Sequence, residues 1–107
     1  MTSKPQLYAL VGMRHRGTQT FVDGLPNREP LMLIREAGNR YDRNAVQVWA
    51  RGRHAGYIKG TQAPSLAMAM DRAGDPRRPA KLHHSSADRW PMVEEDTPGQ
   101  GELSHAS

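Results

Sequence analysis

Asn39-Arg40-Tyr41-Asp42-Arg43-Asn44-Ala45 puts two turn-forming amides, two guanidinium groups, an aromatic ring and a carboxylate into seven residues. Asn39 and Asn44 are most simply turn residues, because a short amide bonds neighbouring backbone and tolerates left-handed conformations. Asp42 suits either a cap on local N–H groups or an acceptor for a ligand hydroxyl. Tyr41 suits either a core plug or a face for a base, a contact worth about 1–3 kcal/mol in single-strand binders. Arg14-His15-Arg16 offers guanidinium forks that match phosphate oxygens and a ring that stacks or donates according to its protonation. Tyr57 and Lys59 add a further ring and cation, and Trp90 a late aromatic. Taken singly, each has an ordinary structural role as its alternative.

These groups need a rigid frame, and the apolar segments around them supply one. Leu7 to Met13, Pro30 to Arg35, Ala45 to Arg51 and Ala55 to Ile58 read as strands from their branched and aromatic content. Phe21-Val22 reads as a further short strand. Gly52 suits a tight turn between two of them. From Pro64, the residues Leu66, Met68, Met70 and Ala73 read as a helix of about ten residues, stopped by Gly74-Asp75-Pro76. Ala80 to His83 and Trp90 to Val93 form a closing hairpin, with Pro91 confined to an edge or a strand start. The chain from 96 to 107 is polar and Gly-rich without periodicity, which predicts a disordered acidic tail after a domain spanning 5–95.

Length and charge narrow the classes. The 107 residues have room for one modest core, and 36% hydrophobic content argues against anything larger or membrane-embedded. No apolar run approaches the roughly 20 residues that span a bilayer, and the first residues lack a signal-peptide core, so a cytoplasmic protein is expected, nucleoid-associated if bacterial. Zero cysteines exclude disulfides and thiolate metal sites. Residues 1–93 hold all 15 basic residues against 7 acidic ones, an excess of +8, and four acidic residues beyond them give −4. A basic body of this kind attracts phosphate polymers.

Catalytic and metal patterns find little support. There is no GxSxG elbow, no Walker A loop and no acidic set for two-metal nucleolysis. His83 and His84, adjacent on a strand, point to opposite faces and do not readily share an ion. A metal-dependent nuclease built on His83, His84 and Asp88 is the weakest reading. No enzyme activity, metal or cofactor is expected.

The order Val11-Gly12-Met13-Arg14, Leu31 to Glu36, Asn39 to Val48 and Gly56-Tyr57-Ile58 resembles a HIRAN domain over roughly residues 7–93. Its signature is an acidic residue, a short gap, Asn-x-Tyr-Asp-x-Asn-Ala, a strand, then a Gly-aromatic-Ile return. The resemblance implies a mainly β fold, a small OB-like or SH3-like β-barrel with one α-helix. It also implies a non-enzymatic module that binds single-stranded DNA, preferentially at a 3′-hydroxyl end. Carried onto this chain, Tyr41 stacks on a terminal base, Asp42 accepts from the 3′-hydroxyl and Arg14 binds phosphate. His15 stands where a DNA-binding relative has a tyrosine, Tyr57 and Lys59 lie on the strand that supplies phosphate contacts, and Trp90 replaces a late aromatic. Expected partners are single-stranded DNA ends and a helicase, nuclease or other repair protein. The alternative is a protein-interaction adaptor that keeps the fold without reading ends.

Overall fold

Alternation of buried and outward residues sets the frame. In the computed structural model, which describes residues 6–12, 16–84 and 90–96, there are six strands, β1 (Leu7–Val11), β2 (Pro30–Arg35), β3 (Val46–Ala50), β4 (Arg53–Ile58), β5 (Arg77–His84) and β6 (Pro91–Glu95), and β4 breaks the rule at Ala55-Gly56. Residues facing each other across an antiparallel pair point to the same side of a sheet. The register therefore buries Leu10 with Ile58, Leu33 with Val48, Leu31 with Ala80, and Leu82 with Val93. All pairings are antiparallel, and β1 pairs with both β4 and β6, closing a barrel in the order β1-β4-β3-β2-β5-β6. Closure leaves no free strand edge in this sheet.

Two helices complete the barrel, where the sequence suggested one. α1 (Arg16–Asp23) occupies the segment expected to hold a Phe21-Val22 strand. Thr18, Phe21, Val22 and Leu25 recur at helical spacing, so one face points inward: Val22 and Leu25 are buried in the core and Phe21 packs against it. α2 (Ala63–Ala73) begins where the Lys59 carbonyl accepts the N–H groups of Gln62 and Ala63, and Pro64 falls in its first turn. Its buried face is Ala63, Leu66, Ala67 and Met70, while Met68 is 54% exposed and takes no part in the packing. Gln62 fixes the helix to β1 by accepting the Ala9 N–H at 2.7 Å, and Arg35 at the end of β2 pairs with Asp71 at 3.1 Å. α1 thus meets the start of β4 and α2 follows its end.

Glu94 and Glu95 belong to β6, and with Asp96 they face β5. Glu95 accepts from Arg78 and lies against the Tyr8 hydroxyl, Glu94 stands 3.9 Å from His83, and Asp96 3.8 Å from Lys81. Burial and Glu95 together push the Tyr8 hydroxyl up to about 12. These acidic groups neutralise the barrel's own cations along the β5–β6 seam. Residues 97–107, the rest of the expected tail, lie outside the described residues.

Candidate nucleic-acid interface

The β2–β3 connection is built on side-chain bonds to its own backbone. The Asn39 side-chain Oδ1 accepts the N–H groups of Tyr41 and Asp42 at 2.8 and 2.9 Å, and Asp42 Oδ1 accepts the Asn44 N–H at 2.9 Å. Backbone bonds from Asn39 to Glu36 and from Ala45 to Asp42 close the loop. Loop geometry is therefore held without help from the Tyr41 ring, which is 95% exposed. Among the described residues Asp42 Oδ2 accepts no hydrogen bond, so one carboxylate oxygen shapes the loop and the other is open to a donor.

Beneath the loop, β4 carries two rings that ordinary strand geometry would separate. His54 and Tyr57 are three residues apart and should face opposite sides. Between Val48 and Trp49 the β3–β4 register shifts, so that Val48 faces Gly56 while Trp49 faces His54. Ala55 and Gly56 are consecutively buried. Gly56 takes φ +149°, which a residue with a Cβ rarely adopts, and the bulge returns Tyr57 to the outer face beside His54. Their ring centroids lie 5.1 Å apart, and His54 meets Trp49 edge-on at 5.6 Å. At Gly12 (φ +81°) a Cβ would come within 3.2 Å of the Tyr57 ring, so a side chain here would be strained in its backbone and would press on that ring.

Glu36 organises this face. Its Oε1 accepts from the Tyr57 hydroxyl at 3.1 Å and from Gln47 Nε2 at 2.9 Å, while Gln47 Oε1 accepts the Trp49 indole N–H at 2.7 Å. The Gln47 hydrogen bond, the largest cause, with Asn39 and Tyr57 also contributing, lowers the Glu36 pKa against a smaller effect of burial. Burial pushes His54 down, partly offset by Glu36, and the Tyr57 hydroxyl up, reinforced by Glu36. Because the folded Glu36 carboxyl lies below its ordinary value of 4.5, its contribution to stability is complete above pH 4.5 and fades as pH falls through the folded value. The stability gap between the parent and Glu36→Gln, followed by urea unfolding, is expected to be widest near neutrality and to shrink in acid. A gap that stays constant with pH would remove the ionised carboxylate from this role.

A groove of ≈ 800 Å³ runs over this face, lined by Tyr41, Asp42, Tyr57 and His54 and walled by Gly12 and, from α1, Thr18. It brings together three of the residues singled out from sequence: Tyr41, Asp42 and Tyr57. Lys59 is exposed between two lining residues, Ile58 and Gly60. Trp90 stands elsewhere: it precedes β6, donates its indole N–H to the Leu10 carbonyl at 3.0 Å, and does not line the groove. Arg14 and His15 lie outside the described residues. Of the histidines considered for metal, His84 places a ring nitrogen 2.8 Å from the Leu25 carbonyl and His83 faces Glu94. Asp88 lies outside the described residues.

Charge around the groove follows from which cations the acidic groups have taken. Arg35, Arg51, Arg78 and Lys81 are ion-paired with Asp71, Glu29, Asp75 with Glu95, and Asp96 respectively. Arg40, Arg43, Arg53 and Lys59 have no carboxylate partner among the described residues; Arg40 and Arg43 flank Tyr41, and Lys59 adjoins the lining residues. The Arg53 guanidinium rests over the Phe21 ring at 4.5 Å, which ties the start of β4 to α1. Arg28, Arg72 and Arg77 are likewise unpaired but lie off this rim. Arg40, Arg43, Arg53, His54, Glu36 and Gln47 were not picked out as site residues from sequence. Glu36 alone had a signal, as the acidic residue opening the Asn-x-Tyr-Asp pattern.

A closed six-stranded barrel bearing an aromatic and carboxylate groove under a cationic rim defines a small binding module. The HIRAN domain model matches residues 6–86, and the chain belongs to that family. Among solved structures, a Lactobacillus plantarum protein is similar at 25% identity and TM-score 0.68, over 82% of this chain and 86% of that one. The HIRAN domain of human HLTF is similar in fold at 22% identity and TM-score 0.59, over 94% of this chain and 83% of that one. No curated protein matches. HIRAN is a binding rather than a catalytic domain, and membership supports a nucleic-acid-binding module. Among the described residues no helix is long and apolar enough to cross a membrane.

Proposed function

We propose that the protein is a non-enzymatic module that binds single-stranded DNA and prefers a free 3′-hydroxyl end. The observation that carries this is the convergence of the open Tyr41 ring, the unengaged Asp42 Oδ2 and the Tyr57 ring on one groove. Tyr41 offers a stacking face for the terminal base. Asp42 Oδ2 accepts from the terminal hydroxyl, and a 3′-phosphate there would meet a carboxylate instead. Arg40, Arg43, Arg53 and Lys59 supply the sequence-independent attraction to phosphates. The family pattern adds Arg14 as a phosphate contact and His15 as a second ring.

Fluorescence anisotropy with strands ending in a 3′-hydroxyl or a 3′-phosphate, across a salt series, tests this. The hydroxyl end should bind more tightly by on the order of tenfold, the scale of a hydrogen bond to a charged group. Asp42→Asn keeps an oxygen for the Asn44 N–H and removes the charge, so it should abolish the preference and retain the salt-dependent background. Equal affinity of the parent for both ends would overturn end recognition. Unchanged discrimination in Asp42→Asn would make Asp42 a loop residue only.

A further inference from the structure

We infer that the strand held in the groove continues across the outer face of β4 and β3, and that its upstream bases dock in a second cleft beside Trp49. The inference rests on the proposed reading of the first groove as a single-strand site. The second cleft, of ≈ 340 Å³, is lined by Pro30, Met32, Ile34, Trp49 and Arg51 among others. Met32 is 38% exposed there, and the register sets it between Trp49 and Pro79. The two clefts are joined by rings in sequence: Tyr57 and His54 line the first, His54 meets Trp49 edge-on, and Trp49 lines the second. Ring steps of 5.1 and 5.6 Å cover on the order of three nucleotides at the ~3.4 Å spacing of a stacked strand.

Charge selects a nucleic acid over other occupants of an apolar cleft. Among the described residues no acidic side chain lines it. Arg51 remains 59% exposed although paired with Glu29, and Arg77, unpaired among the described residues, stands across from Ile34. Cations flanking rings that offer a face or an edge are what a sequence-tolerant strand path requires. The closed barrel offers no edge on which an extended peptide could add as a strand.

The experiment compares 3′-hydroxyl oligonucleotides of about three and about ten nucleotides, of which the longer falls within the range that small barrels cover. The parent should bind the longer one about tenfold more tightly. Met32→Glu should bring the longer strand close to the affinity of the shorter one and leave the shorter one unchanged, and Trp49→Ala, which also frees Gln47 and His54, should cost the longer strand several-fold more than the shorter one. Trp49→Phe, which keeps a ring, should retain most of the gain. Length-independent binding by the parent overturns the path, as does equal weakening of both lengths by Trp49→Ala together with no effect of Met32→Glu. Concentration-dependent dimerisation that Met32→Glu abolishes would assign the cleft to a second copy of the chain and overturn it too. The parent reading fails separately: a 3′-phosphate that affects neither length removes end recognition whether or not the length dependence holds.

Discussion

Tyr41→Ala is expected to weaken single-strand binding by about 1–3 kcal/mol, roughly 5- to 150-fold, and to leave the unfolding midpoint where it was. The two halves of that result have separate causes. A ring 95% exposed contributes almost no burial to folding, and the loop beneath it is held by the Asn39 oxygen on two backbone N–H groups. The same exposure makes the whole face available to a base, next to the Asp42 carboxylate and across the groove from Tyr57. Tyr41→Phe should bind nearly as the parent does, since stacking needs the ring and not the hydroxyl. Titration with a labelled 3′-hydroxyl strand beside a urea unfolding curve checks both. Parental affinity in Tyr41→Ala would take the ring out of the site, and a lowered midpoint would show it packing against the barrel.

The strands were legible because their cause is local: Leu31, Leu33, Val46 and Val48 alternate with outward residues over the length of each strand. The β2–β3 loop was legible for the same reason, since Asn39 and Asp42 bond to backbone within three residues of themselves. α1 was not, because Phe21 and Val22 favour strands in a short window and the helical spacing appears only when Thr18 and Leu25 are counted with them. The pairing of His54 with Tyr57 was hidden too. It depends on a bulge set by the β3 register, and a lone Gly56 does not announce its partner. Charge misled in a comparable way, since Glu94, Glu95 and Asp96 are adjacent in sequence to a polar tail but face His83, Arg78 and Lys81 across the barrel seam. That placement leaves Arg40, Arg43, Arg53 and Lys59, with Arg28, Arg72 and Arg77, as cations without a carboxylate partner among the described residues, and sequence alone did not separate these from the paired ones.

Leu66→Ala should produce the opposite pattern to Tyr41→Ala: a loss of about 2–5 kcal/mol in stability with the affinity of the folded protein unchanged. Leu66 is fully buried on the inner face of α2, with Ala63, Ala67 and Met70. Truncation removes its apolar burial and leaves a hole that the barrel walls, tied by ladder bonds, fill poorly. Domains of this size are stable by about 5–15 kcal/mol, so the midpoint in urea should fall by a large fraction of its value. The slope with denaturant should stay the same. Binding should survive because α2 reaches the groove only through the turn that contains Gly60, and that turn is fixed independently by the Gln62 side chain on Ala9 and the Lys59 N–H on the Ala9 carbonyl. If Leu66→Ala altered the choice between 3′-hydroxyl and 3′-phosphate while its stability held, the groove would be shaped from the helix beneath the barrel end. The self-bonded loop and the β4 bulge would then not be its determinants.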